Sequence, residues 1–98
     1  MVRVQNIRDK NFKEPKDYSS WIEYWEDKMG RDAQACSRVF CSIDEDIVGG
    51  HVKKVPDDGN IYLIPLCRGH NTYVYINPYS VPDNVLLVVP ECDLEEEV

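Results

Sequence analysis

Positive charge is what this chain has least of. Its 98 residues include 18 Asp or Glu against 11 Lys or Arg, a formal net charge of -7. Residues 1–35 balance, seven basic against seven acidic, so the whole excess falls on residues 36–98, with four basic against eleven acidic. A protein that grips nucleic acid normally displaces counterions with a Lys/Arg surface, so this balance counts against strong DNA binding. It leaves Lys53, Lys54 and Arg68 as the residues able to form a local basic cluster. Long apolar runs are missing too: the longest, Val85–Val89, is far below the roughly 20 residues that cross a bilayer. The opening MVRVQNIRDKNF has no apolar stretch that a signal peptide could use, which places the chain in a reducing cytoplasm. There is no glycine-rich phosphate loop, no internal repeat and no Ser/His/Asp set at a recognisable spacing, so the usual signatures of a nucleotide cradle and a triad hydrolase are both lacking.

What is present is a small set of soft ligands in two close groups. Cys36 and Cys41 frame CSRVFC, and Cys67 and His70 frame CRGH. In a reducing compartment paired cysteines hold metal more often than each other. Four thiolate or imidazole donors on two tight turns are what a tetrahedral structural Zn²⁺ requires, and a domain this small has little stability to spare without such a staple. The competing reading is ordinary buried cysteines beside an unrelated histidine. Cys92, at the edge of the acidic tail, reads as a spare thiol, with His51 or Cys92 as a substitute should one of the four ligands be misassigned.

Between the two groups the pattern is that of a hairpin. Ile47–Val55 and Asn60–Leu66 are rich in Val, Ile and Tyr, and VPDDGN joins them with turn residues. Gly49 and Gly50 inside the first strand predict a bulge or a close approach of another backbone or ligand near His51. Upstream, Ser20 and Glu23 have capping-box spacing, Trp21, Tyr24, Trp25 and Met29 recur at helical spacing, and Gly30 is the expected stop. The aromatic stripe is read as a core face rather than a docking or base-stacking surface, because a small domain must bury its few large side chains. Val2 and Val4 predict a short edge strand, Tyr73 and Tyr75 a strand followed by a loop around Pro78 and Pro82, and Val85–Val89 a buried strand.

The fold class expected is therefore α+β: a treble-clef-like zinc module of knuckle, β-hairpin and second knuckle, with an N-terminal amphipathic helix and one or two further strands. Residues 1–90 read as one zinc-stabilised domain, with the zinc module at about 36–71. Residues 91–98 read as an acidic tail expected to be disordered, since they carry charge and little to bury.

The cysteine pair, the small residue followed by His51 and Val52, then Asn60, then Pro65-Leu66-Cys67-x-x-His70-Asn71 together resemble the zinc-bearing branch of the HNH endonuclease superfamily, a treble-clef or ββα-metal fold. The likeness is greatest to short uncharacterised bacterial members with a Gly-Ala-His-Val strand and an Ile-Val-Pro-Leu-Cys strand, and it covers about residues 36–71. The resemblance implies structural zinc on Cys36, Cys41, Cys67 and His70, the last standing where many members have a cysteine. It also implies catalytic roles for three residues. His51 would be the general base that activates water against a phosphodiester, Asn60 would steady the hairpin loop, and Asn71 would stand where a His or Asn holds a catalytic Mg²⁺ or similar divalent ion. The chain also departs from the pattern. Active members place an acid or another ligand before the base, where this chain has Gly50; Asn71 is a neutral amide, a weak ligand for a hard cation; and Thr72, Tyr73 and Val74 replace the basic residues that often follow.

Three functions follow. The first is an HNH-like zinc domain, catalytically degenerate, that binds a protein or nucleic-acid partner. The second is an active metal-dependent HNH nuclease with His51 as base. The third is an acidic inhibitor or decoy of a nucleic-acid-binding protein. For His51 the plainer alternative is a strand histidine held by a backbone hydrogen bond. No membrane role follows, and the oligomeric state is not legible.

Overall fold

The computed structural model describes residues 1–72 and 75–96. Five strands, β1 (Val2–Asn6), β2 (Ile47–Lys54), β3 (Tyr62–Cys67), β4 (Tyr79–Val81) and β5 (Leu87–Val88), form one antiparallel sheet in the order β4-β1-β2-β3-β5. One α-helix, α1 (Trp21–Met29), lies against β2 and β3. Single 3₁₀ turns follow at Asp83–Val85 and Glu91–Asp93.

The helix begins and ends where its capping residues dictate. The Ser20 side chain accepts from the Glu23 amide, Glu23 reaches back to the Ser19 amide and hydroxyl, and Gly30 closes the helix with φ 69° in the left-handed region. Tyr24 and Trp25 are buried with Leu63 and Val89, and Trp21 and Met29 pack at the margin of the same cluster. The aromatic stripe is thus a core face.

The hairpin of β2 and β3 runs in unbroken register from Ile47 opposite Cys67 to Val52 opposite Tyr62, so the two glycines make no bulge. They permit close approach instead. A Cβ on Gly49 would lie 2.7 Å from Trp21 Cβ and 2.8 Å from the Trp21 carbonyl carbon, which is where α1 crosses the strand. The turn is held by Asp57 and Asp58, whose side chains accept from the amides of Gly59 and Asn60.

Every residue of β3 is buried, because both faces of the sheet are covered. On one face Leu63 meets the helix; on the other Ile64 and Leu66 join Val4, Val52, Tyr79, Val81, Cys36 and Cys67 in a second cluster.

Several expectations are corrected. β1 is not an edge strand: it pairs with β2 on one side and β4 on the other, and its second partner comes from residues 79–81 at the far end of the chain. Among the described residues three strands, not one or two, lie outside the hairpin. Where a loop is expected around Pro78 and Pro82, the strand Tyr79–Val81 lies between the two prolines; of the strand expected at Tyr73 and Tyr75, Tyr73 and Val74 lie outside the described residues. The buried strand expected over Val85–Val89 is a two-residue edge strand with Val88 49% exposed, since the Val85 carbonyl is taken by the Trp25 indole N–H and Pro90 ends the run. The residues read as an acidic tail are described through Glu96 and lie against the domain. Leu94 packs on the helix-side cluster, Asp93 accepts from the Tyr24 hydroxyl, and Glu96 bridges to Phe12. No helix among the described residues is long and apolar enough to cross a membrane.

Candidate metal centre and the adjoining cavity

Cys36, Cys41, Cys67 and His70 converge. Their three sulfurs and one imidazole nitrogen lie within 4.8 Å of one another, and Nδ1 of His70 is 3.4 Å from Cys36 Sγ and 3.2 Å from Cys67 Sγ. Tetrahedral bonds of about 2.3 Å to sulfur and 2.0–2.1 Å to nitrogen put an S···N edge at about 3.5 Å, so the spacing fits such an ion. The four side chains could therefore hold a metal, and three thiolates with one imidazole suit zinc.

Local chain geometry explains the convergence. After Leu63, β3 has no partner on its β5 side, and Pro65 carries no N–H to leave unpaired there. The first turn docks on that free stretch: the Ser37 amide donates to the Pro65 carbonyl at 2.9 Å, and Val39 donates to Ser80 on β4 at 2.9 Å. Phe40 turns the chain back with φ 70°, and the Cys41 amide donates to the Arg38 carbonyl at 3.0 Å. In the second turn His70 and Asn71 both donate to the Cys67 carbonyl, at 3.1 and 3.0 Å, so His70 faces back over Cys67.

The electrostatics suit a bound cation. Burial pushes the Cys36 thiol up to about 11, opposed by the amides of Cys67 and Arg38 aimed at its sulfur. The Ile43 amide holds the exposed-side thiol of Cys41 below its ordinary value. Amides directed at sulfur are arranged for thiolates, and a divalent ion supplies the positive charge that keeps a buried thiolate ionised. Burial, with the charge of Arg38, holds His70 below its ordinary value, which favours the neutral imidazole that ligation needs.

One contributor is invisible in the sequence pattern. Asn6, buried at the end of β1, donates from Nδ2 to the His70 carbonyl at 2.6 Å and accepts from the Tyr79 hydroxyl at 2.5 Å. It ties the second turn to β1 and β4. A lone Asn following a Val-rich segment carries no motif; only its place at the end of an alternating strand could have singled it out.

His51 lies on β2 on the helix side, sharing its face with Gly49. Its ring is enclosed by Phe12 and Trp21, each with its centroid 4.5 Å away, and Nε2 is buried with no hydrogen-bond partner. Burial alone lowers its pKa to about 4, so it is neutral at physiological pH. The backbone-bonded strand histidine of the plainer reading is not what these contacts describe.

Asn71 stands beside Gly50: a Cβ there would be 2.7 Å from Asn71 Oδ1 and 2.5 Å from Leu66 Cδ1. His51 and Asn71 both line one open cavity of about 420 Å³, together with Asn6, Arg8, Lys10 and Phe12. Asn60 does not reach it. Its amide is engaged in the hairpin turn, and the residue lines a separate depression with Lys53, Asp57 and Glu91. Cys92 is exposed and remote in sequence from the cluster, which leaves it the spare thiol.

Comparison with protein-family models, with curated proteins and with solved structures gives no match. Function must be argued from the site alone.

Proposed function

We propose that this chain is a zinc-stabilised, HNH-like domain with a treble-clef-like module, its cleavage chemistry reduced, that binds a nucleic-acid partner at the His51 cavity. The observation that carries the reading is the pairing of His51 and Asn71 in one cavity beside the Cys₃His cluster, with Gly50 packed against Asn71. A carboxylate at position 50 would supply a hard cation with an anionic oxygen, and the space it needs is filled by Leu66 and Asn71. Asn71 alone is a neutral donor. His51 can accept a proton or a hydrogen bond, and Lys10 and Arg8 at the cavity wall give it the charge that a phosphate seeks. Among the described residues no α-helix follows the second turn, and the helix that packs on the hairpin, α1, precedes it in the chain.

The test uses purified full-length protein of measured zinc content. We expect a fluorescent duplex to bind at low salt and to weaken steeply as salt rises, with no nicking of plasmid in Mg²⁺, Mn²⁺ or Ni²⁺. Nicking that is lost in His51→Ala while zinc content is unchanged would instead establish an active nuclease. Absence of binding to DNA and RNA at low salt would overturn the nucleic-acid reading in favour of a protein partner, the acidic decoy included.

A further inference from the structure

One wall of the cavity beside His51 is a side chain that the far end of the chain helps to position. Phe12 lies in a stretch between β1 and α1 that belongs to no strand of the sheet. Its ring nonetheless sits over the His51 imidazole, tilted by 41°. That stretch is held on the helix side by the Trp21 indole N–H, which donates to the Lys13 carbonyl at 3.0 Å, and on its other side by the C-terminal segment. Phe12 and Glu96 form an isolated antiparallel bridge, and the Lys13 amide donates to the Glu95 carbonyl at 2.7 Å. Lys10 pairs with Glu96 at 3.7 Å, and Lys13 with Glu95 at 3.8 Å.

We propose that the acidic C-terminal segment is an intramolecular clasp that holds Phe12 over His51 and screens the imidazole from ligand entering the cavity. The clasp is anchored upstream, where Asp93 accepts from the Tyr24 hydroxyl at 2.6 Å and Leu94 packs on the helix-side cluster. Among the described residues its distal part is held by the Phe12–Glu96 bridge, by the Lys13–Glu95 backbone hydrogen bond and by two ion pairs whose four side chains are 43–74% exposed. Pairs that exposed contribute little in water and weaken with salt, so the distal part opens far more readily than the core. Lys10 lines the cavity as well as pairing with Glu96, so an anionic ligand and the tail carboxylate compete for the same ammonium. The buried, unpartnered Nε2 of His51 gives the closed state a cost that opening relieves. The regulatory meaning rests on the cavity being the ligand site; the clasp itself does not.

Access to His51 can be read directly, without any nucleic acid, from the rate at which diethyl pyrocarbonate acylates its neutral imidazole, located by peptide mass spectrometry on the zinc-loaded full chain. Glu95→Lys with Glu96→Lys sets like charges against Lys13 and Lys10, and we expect the rate at His51 to rise about ten-fold while zinc content is unchanged. Adding Lys10→Glu and Lys13→Glu restores opposite charges in swapped order and should return the rate to that of the parent. Phe12→Ala should raise it without any change in the tail. A rate unchanged in the double charge variant, or one that stays high in the four-residue swap, overturns the clasp. So does a rate unchanged in Phe12→Ala, which would show that His51 is closed off by something other than Phe12.

Discussion

Replacing Cys67 by serine asks how much of this fold a metal on the Cys₃His group would hold. Cys67 is 2% exposed, its sulfur is 3.2 Å from His70 Nδ1, and its amide points at Cys36 Sγ. The residue therefore closes the ligand set and joins it to β3. A domain of this length has a net stability of about 5–15 kcal/mol, and a structural zinc contributes on the order of 10 kcal/mol at neutral pH. Subtracting the second from the first leaves between a few kcal/mol and less than nothing. Serine removes a soft thiolate and leaves a hydroxyl that binds zinc poorly, so most of that contribution goes. We expect Cys67→Ser to be purified without stoichiometric zinc, and its cooperative thermal transition to disappear or fall by more than about 20 °C, at roughly 4–8 °C per kcal/mol for a domain of this size. A chelator added to the parent protein should reproduce the loss, and Cys92→Ser should show neither effect. Elemental analysis together with a melting curve decides it. A parent transition unmoved by a strong chelator would refute the reasoning, because the four donors would then be holding nothing that the fold needs.

His51 should leave a signature in the pH dependence of stability. Its pKa is about 4 when folded and near 6.5 when unfolded, so the unfolded chain binds the proton more tightly. Its contribution is complete above pH 6.5 and is lost as pH falls from there toward 4, about 3 kcal/mol in all. In His51→Phe the fall in urea midpoint between pH 7 and pH 5 should be smaller than in the parent; identical falls would mean that His51 titrates normally. The two glycines should differ in kind. Gly49→Ala drives a Cβ into the Trp21 backbone and Gly50→Ala drives one into the Leu66 side chain, so we expect losses of about 1–3 kcal/mol, larger at Gly49 because backbone yields less than a methyl group. Denaturant midpoints for the two variants check the order.

What the sequence made legible is what short-range chemistry writes into it. Ser20, Glu23 and Gly30 mark the helix because caps are satisfied within a few residues, and the hairpin follows from two β-rich runs around PDDG. The ligand quartet could be read because soft donors in close pairs have few other uses. Less legible was anything set by long-range pairing. The alternation of Val2 and Val4 tells that one face of β1 is buried, but not that β4 would come from residues 79–81 to cover its second edge. Phe12 is legible as an apolar anchor in a polar stretch, but nothing nearby tells that it lies on His51. The acidic tail read as solvent-loving because composition cannot show that Lys10 and Lys13 stand opposite it.

The same sheet carries the Cys₃His cluster and the His51 cavity, and that shared support would give a bound ion a consequence beyond stability. Gly49 faces α1 and Gly50 faces Leu66 and Asn71, so β2 is pressed between the helix on one side and the ligand-bearing end of β3 on the other. Neither contact tolerates much movement, since each is already closer than a side chain would allow. Asn71 is itself bonded to the Cys67 carbonyl, and Asn6, which lines the cavity, is bonded to the His70 carbonyl. Two walls of the cavity are therefore set by residues that the ion would fix directly. Loss of the metal should loosen those walls before it reaches the helix face that encloses His51. In a partly demetallated sample, amide protection should fall first at Asn71 and the neighbouring end of β1, and only later along α1, because the helix is held by its own apolar cluster rather than by the ligands.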